Sequence, residues 1–173
     1  RGGLGNDTLI GGTGNDTLQG NEGNDRYLVD SLLDVVSEAF DQGLDQVETA
    51  LASYTLSADV ENLIYTGALA FSGSGNALAN SLVGAAGNDT LSGEAGDDTL
   101  VGGLGDDVYL VTEAGDVVVE GAVGGNDRID TDLASYTLGA EVEHLSYTGG
   151  SDFTGNGQAL NNRLTGGAGN DTL

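Results

Sequence analysis

An aspartate returns every nine residues, each time behind a glycine turn and ahead of an apolar residue. The first run reads GGLGNDTLI, GGTGNDTLQ and GNEGNDRYL and places Asp7, Asp16 and Asp25. The second reads GAAGNDTLS, GEAGDDTLV and GGLGDDVYL and places Asp89, Asp98 and Asp107; a third starts at Gly166 and reaches Asp171. Around these carboxylates lie Gly3, Gly5, Gly12, Gly14, Gly23, Gly87, Gly96, Gly103, Gly105, Gly167 and Gly169. Glycine permits a turn with φ > 0 and leaves its carbonyl open. Carboxylate and carbonyl oxygens together suit a hard cation, which takes about six to eight of them. One turn supplies too few, so turns must be brought together. A single Gly-Asn-Asp turn can also close on its own backbone without metal. Seven in register are what point to an ion.

The residue two places after each aspartate is apolar, as expected of a short strand with one face inward. Asp7-Thr8-Leu9-Ile10, Arg26-Tyr27-Leu28-Val29 and Asp116-Val117-Val118-Val119 are such strands, rich in residues that favour them. Beyond Tyr27 the same beat predicts inward positions at Val36, Val47, Leu56, Tyr65, Phe71 or Gly73, and Leu82, then Leu91, Leu100 and Tyr109. Asp34, Asp45, Asp116 and Asp127 sit in the pattern without its full glycine set. Asn80 and Asn162 hold the aspartate slot ahead of a block. Ser31–Phe40 has the best helical spacing, but its counterpart Glu113–Ala122 contains GDVVVEGA, so both read as strand and turn. The expectation is one continuous solenoid, 1–173.

A longer period lies above the nonapeptide. Asp25 recurs as Asp107, Asp45 as Asp127, Tyr54 as Tyr136 and Phe71 as Phe153, all by one constant shift, and LASYTL occurs twice. The chain reads as two units, 2–83 and 84–165, and the start of a third, 166–173. It begins and stops inside the pattern, which predicts a segment of a longer repetitive protein. Nine half-coils per unit would turn successive units to opposite sides.

Composition narrows the functions. Among 173 residues there are 28 acids against four arginines and no lysine, a formal charge of −24. A compact fold without cations would repel itself. A disordered acidic chain fits poorly, because 38% of residues are apolar and regularly spaced. Nucleic acid and anionic membranes are poor partners for such a surface. No apolar run is long enough for membrane insertion. There is no cysteine, hence no disulfide framework and no thiolate metal site.

These turns resemble the nonapeptide G-G-x-G-x-D-x-U-x of the RTX (repeats-in-toxin) family. The resemblance implies an all-β parallel β-roll, or β-solenoid, with several calcium ions between stacked Gly-Asp turns. Each nonapeptide is then half a coil, so Asp7 stacks with Asp25, Asp16 with Asp34, Asp89 with Asp107, and Asn80 with Asp98 and Asp116. The asparagine brings no charge, which predicts a weaker site there. The resemblance also implies a secreted, extracellular or cell-surface protein, exported without an N-terminal signal. The Asn-Asp-Thr triplets match a glycosylation pattern, but they read as accidents of the calcium turn.

No catalytic set emerges. His144, the single histidine, is matched by Asn62 in the first unit. Glu141 and Glu143 have the chemistry of a glycosidase pair, against the simpler reading of a solvated strand edge. Tyr54, Tyr65, Tyr136 and Tyr147 share parity with core leucines, which places them inside rather than on a sugar-binding face. Asp152 lies outside the nonapeptide pattern. The resulting expectation is a structural segment of an adhesin, surface-layer protein or filament, continuing into further repeats or self-associating. Two rivals stand beside it: the accessory roll of a secreted protease, lipase or alginate epimerase, and a carbohydrate-binding module.

Overall fold

A computed structural model describes residues 1–173. The chain contains strands and turns and no helix. It winds back and forth between two parallel sheets of seven strands each. One sheet stacks Thr8–Ile10, Arg26–Val29, Gln46–Thr49, Asn62–Tyr65, Ser81–Val83, Thr99–Val101 and Val117–Val119. The other stacks Ser53–Thr55, Ser72–Ser74, Thr90–Ser92, Val108–Val111, Arg128–Thr131, His144–Tyr147 and Arg163–Thr165. Thr17–Gln19 pairs with Val35–Ser37, and Ser135–Thr137 with Thr154–Asn156. The fold is a parallel β-roll.

Strands this short form because each carries one inward apolar side chain between turns that reverse the chain. Leu82, Leu91, Leu100 and Tyr109 are fully buried, part of a core of 23 residues between the sheets. Each leucine so buried stabilises the fold by about 1.5–3 kcal/mol. Tyr65 stacks on Phe71 with ring centroids 4.4 Å apart, and Tyr147 on Phe153 at 4.6 Å.

The coil length varies where the glycines thin out. Stacked aspartates are 18 residues apart within the blocks, but the step is 20 from Asp25 to Asp45 and 16 from Asp45 to Glu61. These unequal coils shift the strand centres. Tyr54 and Leu63, not Leu56 and Tyr65, pair with Gly73 and Leu82. Leu56 and Tyr65 remain buried, because residues two apart share a strand face. Around Ser31–Phe40 only Val35–Ser37 is a strand, while Leu32, Leu33 and Phe40 are exposed. Pairing is interrupted between Val35–Ser37 and Ser53–Thr55, and at the equivalent place between Val117–Val119 and Ser135–Thr137.

Equivalent residues of the two units fall in opposite sheets. Arg26–Val29 and Gln46–Thr49 lie in one; Val108–Val111 and Arg128–Thr131 lie in the other.

Candidate metal centres

The motif aspartates sit at the residue before a strand, and in Asp25, Asp89, Asp98, Asp107 and Asp171 one carboxylate oxygen locks that coil to the one before it. The Asp7 amide donates to Asp25 Oδ1 (2.7 Å), and Asp25 donates to Asp45 Oδ1 (2.7 Å). The Asp16 amide donates to Asp34 Oδ1 (3.0 Å). In the second block Asp89 donates to Asp107 Oδ1 (2.7 Å), Asn80 to Asp98 Oδ1 (2.7 Å) and Asp98 to Asp116 Oδ1 (3.2 Å). The stacks expected from the half-coil period are therefore present. Asp171 continues the series by accepting from the Phe153 amide at 3.0 Å.

The second oxygen is the informative one. Oδ2 of Asp7, Asp16, Asp25, Asp89, Asp98 and Asp107 is buried and has no hydrogen-bond partner. A buried, unpaired carboxylate oxygen is costly. Calcium fits this donor set, since it takes oxygen ligands, carboxylates and carbonyls alike, in flexible geometry. When bound, it neutralises the facing charges. The chain's own part is to hold Oδ1 in the ladder so that Oδ2 stays aimed at the turn.

The glycines divide by role. All eleven candidate glycines, Gly3, Gly5, Gly12, Gly14, Gly23, Gly87, Gly96, Gly103, Gly105, Gly167 and Gly169, have positive φ. Non-glycine residues in the second slot of the motif keep that conformation, with Asn21 at 76°, Ala85 at 73° and Glu94 at 73°. The first slot has ordinary φ and is glycine for space. A Cβ at Gly2, Gly11, Gly20, Gly84, Gly93, Gly102 or Gly166 would collide with the aspartate Oδ2 five residues on. These cradle glycines were not among the expected site residues. Their presence as the shared first letter of all seven copies was the available signal.

The four degenerate slots separate into two kinds. Asp34 Oδ2 accepts from the amides of Asp30 and Ser31 (both 3.3 Å), and Asp116 Oδ2 accepts from Glu113 (3.2 Å). Both are satisfied locally, as in a metal-free turn. Asp127 Oδ2, by contrast, is buried and unpartnered, and the equivalent Asp45 is also buried. At Asn80 the amide nitrogen donates to the carbonyls of Val60 (3.1 Å) and Glu61 (3.2 Å). A side-chain amide there makes hydrogen bonds where the aspartates have none.

Glu143 is not on a solvated edge, and nor is its counterpart in the first unit, Glu61. Their Oε2 atoms accept from the Asp45 (2.8 Å) and Asp127 (2.9 Å) amides, so they occupy the aspartate slot. Asp152 is not outside the stack either. A second ladder runs through the residue before several of these slots: the Asn24 amide donates to Asn6 Oδ1 (2.8 Å), Asp106 to Asn88 Oδ1 (3.1 Å) and Asn170 to Asp152 Oδ1 (2.8 Å). His144 lies on a strand, where Nε2 contacts Asn126 Oδ1. Tyr54, Tyr65 and Tyr147 are buried and Tyr136 packs against the core.

Charges in these columns raise one another. Burial, then the nearby Asp107 charge, lifts Asp89 to about 7 against the pull of the Phe71 amide. Burial, then Asp127 and Asp106, lifts Asp107 to about 6, with the Asp89 amide opposing. Asp98 is raised by burial and by Asp116 and Asp97, opposed by the Asn80 amide. Asp89, Asp98 and Asp107 therefore ionise less readily in the bare fold than free carboxylates do.

No helix is long and apolar enough to cross a membrane. No curated protein and no solved structure matched the chain on comparison. A model of the RTX calcium-binding nonapeptide repeat matches residues 1–31, 74–109 and 156–173, in four copies. Those residues hold the stacked turns described above, and these stretches of the chain are repeats of the RTX calcium-binding nonapeptide family.

Proposed function

We propose that the chain is a calcium-dependent structural β-roll segment of a secreted bacterial adhesin, surface-layer protein or extracellular filament. The observation that carries this is the row of buried, unpartnered Asp Oδ2 atoms repeated along both sides of the roll. They give the fold a reason to need cations, and binding free energy then becomes folding free energy. The candidate ligands are Asp7, Asp16, Asp25, Asp89, Asp98, Asp107 and Asp171 with the glycine-turn carbonyls. Weak extracellular sites work at about 10⁻⁴–10⁻³ M. Calcium at cytosolic levels would leave such sites empty, so the chain would fold after export. The regular long unit favours a fibre, extended by further units or by head-to-tail contact, over the accessory roll of a secreted protease, lipase or epimerase. The tyrosines that would make a sugar-binding face are mostly in the core, which weighs against a carbohydrate module.

Circular dichroism in calcium and in excess chelator tests the reading. The β signal should collapse on chelation and return with calcium, and magnesium should restore it poorly because it demands rigid octahedral geometry. An unchanged spectrum in chelator would count against a calcium-dependent fold.

A further inference from the structure

Two acidic clusters lie where each glycine block gives way to the irregular coils. Asp25, Glu38 and Asp45 bring one carboxylate oxygen apiece within 4.8 Å of one another, and so do Asp107, Glu120 and Asp127. The clusters are equivalent positions of the two units and belong to opposite sheets. Neither glutamate is part of the nonapeptide: each lies beyond the last motif aspartate of its block, on the connection to the next coil. Asp25, Asp45, Asp107 and Asp127 are all buried, none more than 2% exposed.

An independent observation points to a ligand. Tyr27 is wholly buried, and its hydroxyl has no hydrogen-bond partner. A Cβ added at Gly20 would strike the Tyr27 hydroxyl, Asp25 Oδ2 and Glu38 Oε1 together, so these three atoms surround one point. Both Glu38 oxygens are also buried and unpartnered. The Gly20 and Asn21 amides face the Glu38 carboxylate without completing a hydrogen bond. In the second copy the Tyr109 hydroxyl accepts from the Gly102 amide (2.8 Å) and donates to Glu120. A Cβ at Gly102 would strike Asp107 Oδ2 and the same hydroxyl.

We propose that Asp25, Glu38 and Asp45 with the Tyr27 hydroxyl, and Asp107, Glu120 and Asp127 with Tyr109, form two calcium sites of a second kind, each closing a glycine block. The inference rests on the calcium reading of the glycine turns. The chemistry is oxygen only, with neither nitrogen nor sulfur, which selects a hard cation. Three carboxylates converge here, where a glycine turn supplies one per nonapeptide. Calcium affinity is tuned by ligand charge and rigidity, so these two sites fill before the others. The glutamate has a second effect: it ties the connection at residues 30–44, or 112–126, to the metal, and so couples the block to the coil beyond it.

The test pairs calcium itself with terbium as a luminescent stand-in. The chain has six tyrosines and no tryptophan, and terbium emission excited through tyrosine needs a ring close to the ion. Calorimetric titration of the wild type should show a tight class of ions followed by a weaker one. The Glu38→Gln/Glu120→Gln variant should lose the tight class and keep the weaker class and the calcium-dependent β signal. Tyrosine-excited terbium emission should fall several-fold in that variant. It should fall likewise in Tyr27→Phe/Tyr109→Phe, which leaves every carboxylate in place and so decides the matter if the glutamine variant does not fold. Wild-type protein that takes up no calcium overturns both this inference and the reading it rests on. A wild type that binds calcium, alongside a glutamine variant that binds as much and as tightly, overturns this inference alone. Undiminished emission from the phenylalanine variant also overturns it.

Discussion

The glycine blocks and the coils between them are built on one scaffold and held by different means. At Asp89, Asp98 and Asp107 the slot before the strand carries a carboxylate with an unsatisfied oxygen. In the intervening coils the same slot holds Phe71, packed on Tyr65, or Asn80, bonded to two carbonyls, or Asp34, capped by two amides. Both kinds of slot keep the coil-to-coil ladder. The block slots all leave a carboxylate oxygen unpartnered, and among the intervening slots Asp127 does so too. A solenoid can therefore place its cation dependence in chosen turns while aromatic packing and amide hydrogen bonds carry the rest.

The strongest way to break that contrast is to discharge the carboxylates of the second block together. Asp89 at about 7, Asp107 at about 6 and the raised Asp98 all have folded values above those of a free carboxylate. Such a shift leaves the metal-free fold unpenalised below about pH 4 and penalises it progressively up to about pH 7. In chelator, β-structure should thus be recovered as the pH falls from 7 toward 4. Calcium should matter most at the neutral end. A chelated chain whose circular dichroism is flat across that range would mean the columns are not what unfolds it.

A narrower experiment compares Asp98→Ala with Asp116→Ala. Each aspartate accepts one ladder bond through Oδ1, from Asn80 at 2.7 Å and from Asp98 at 3.2 Å. They differ in Oδ2, orphaned in Asp98 and held by the Glu113 amide in Asp116. The first variant should need about tenfold more calcium to fold, equivalent to ~1.4 kcal/mol. The second should shift by less than about twofold. Equal midpoints in a calcium titration would erase the distinction.

The smallest effect concerns a turn alone. Ala85 has φ of 73° in a slot that other copies fill with glycine. A left-handed alanine costs roughly 1–2 kcal/mol, so Ala85→Gly should raise the melting temperature in calcium. Val83→Gly, in the adjoining strand, should lower it.

Much of this was legible from the nine-residue beat. It located the strands and the inward Leu82, Leu91 and Leu100, because a strand-turn half-coil allows little variation in length; the stacking partners of the aspartates came from the half-coil that the family resemblance implies. The beat misplaced strand centres at Tyr54 and Leu63, where coils of 16 and 20 residues replace 18. Glu38 and Glu120 were invisible for another reason. They reach the aspartates only through a connection whose course no local pattern specifies. Their one trace is that they are an acidic pair kept at equivalent positions of the two units. Glu143 was misread because a longer side chain can fill an aspartate slot when the coil before it is shorter.

Because the unit holds an odd number of half-coils, Asp25 and Asp107 lie on opposite sides of the roll. That parity has a mechanical meaning. Each block sets two of its three aspartates on one side and one on the other; if the fuller side always faced the same way, tightening those turns would curl the rod, as a bonded strip of two metals curls when one layer shrinks. Alternation cancels the bend after two units. A roll tightened by calcium would then keep its direction, while a flat surface along one side would meet the fuller side of a block only in every second unit.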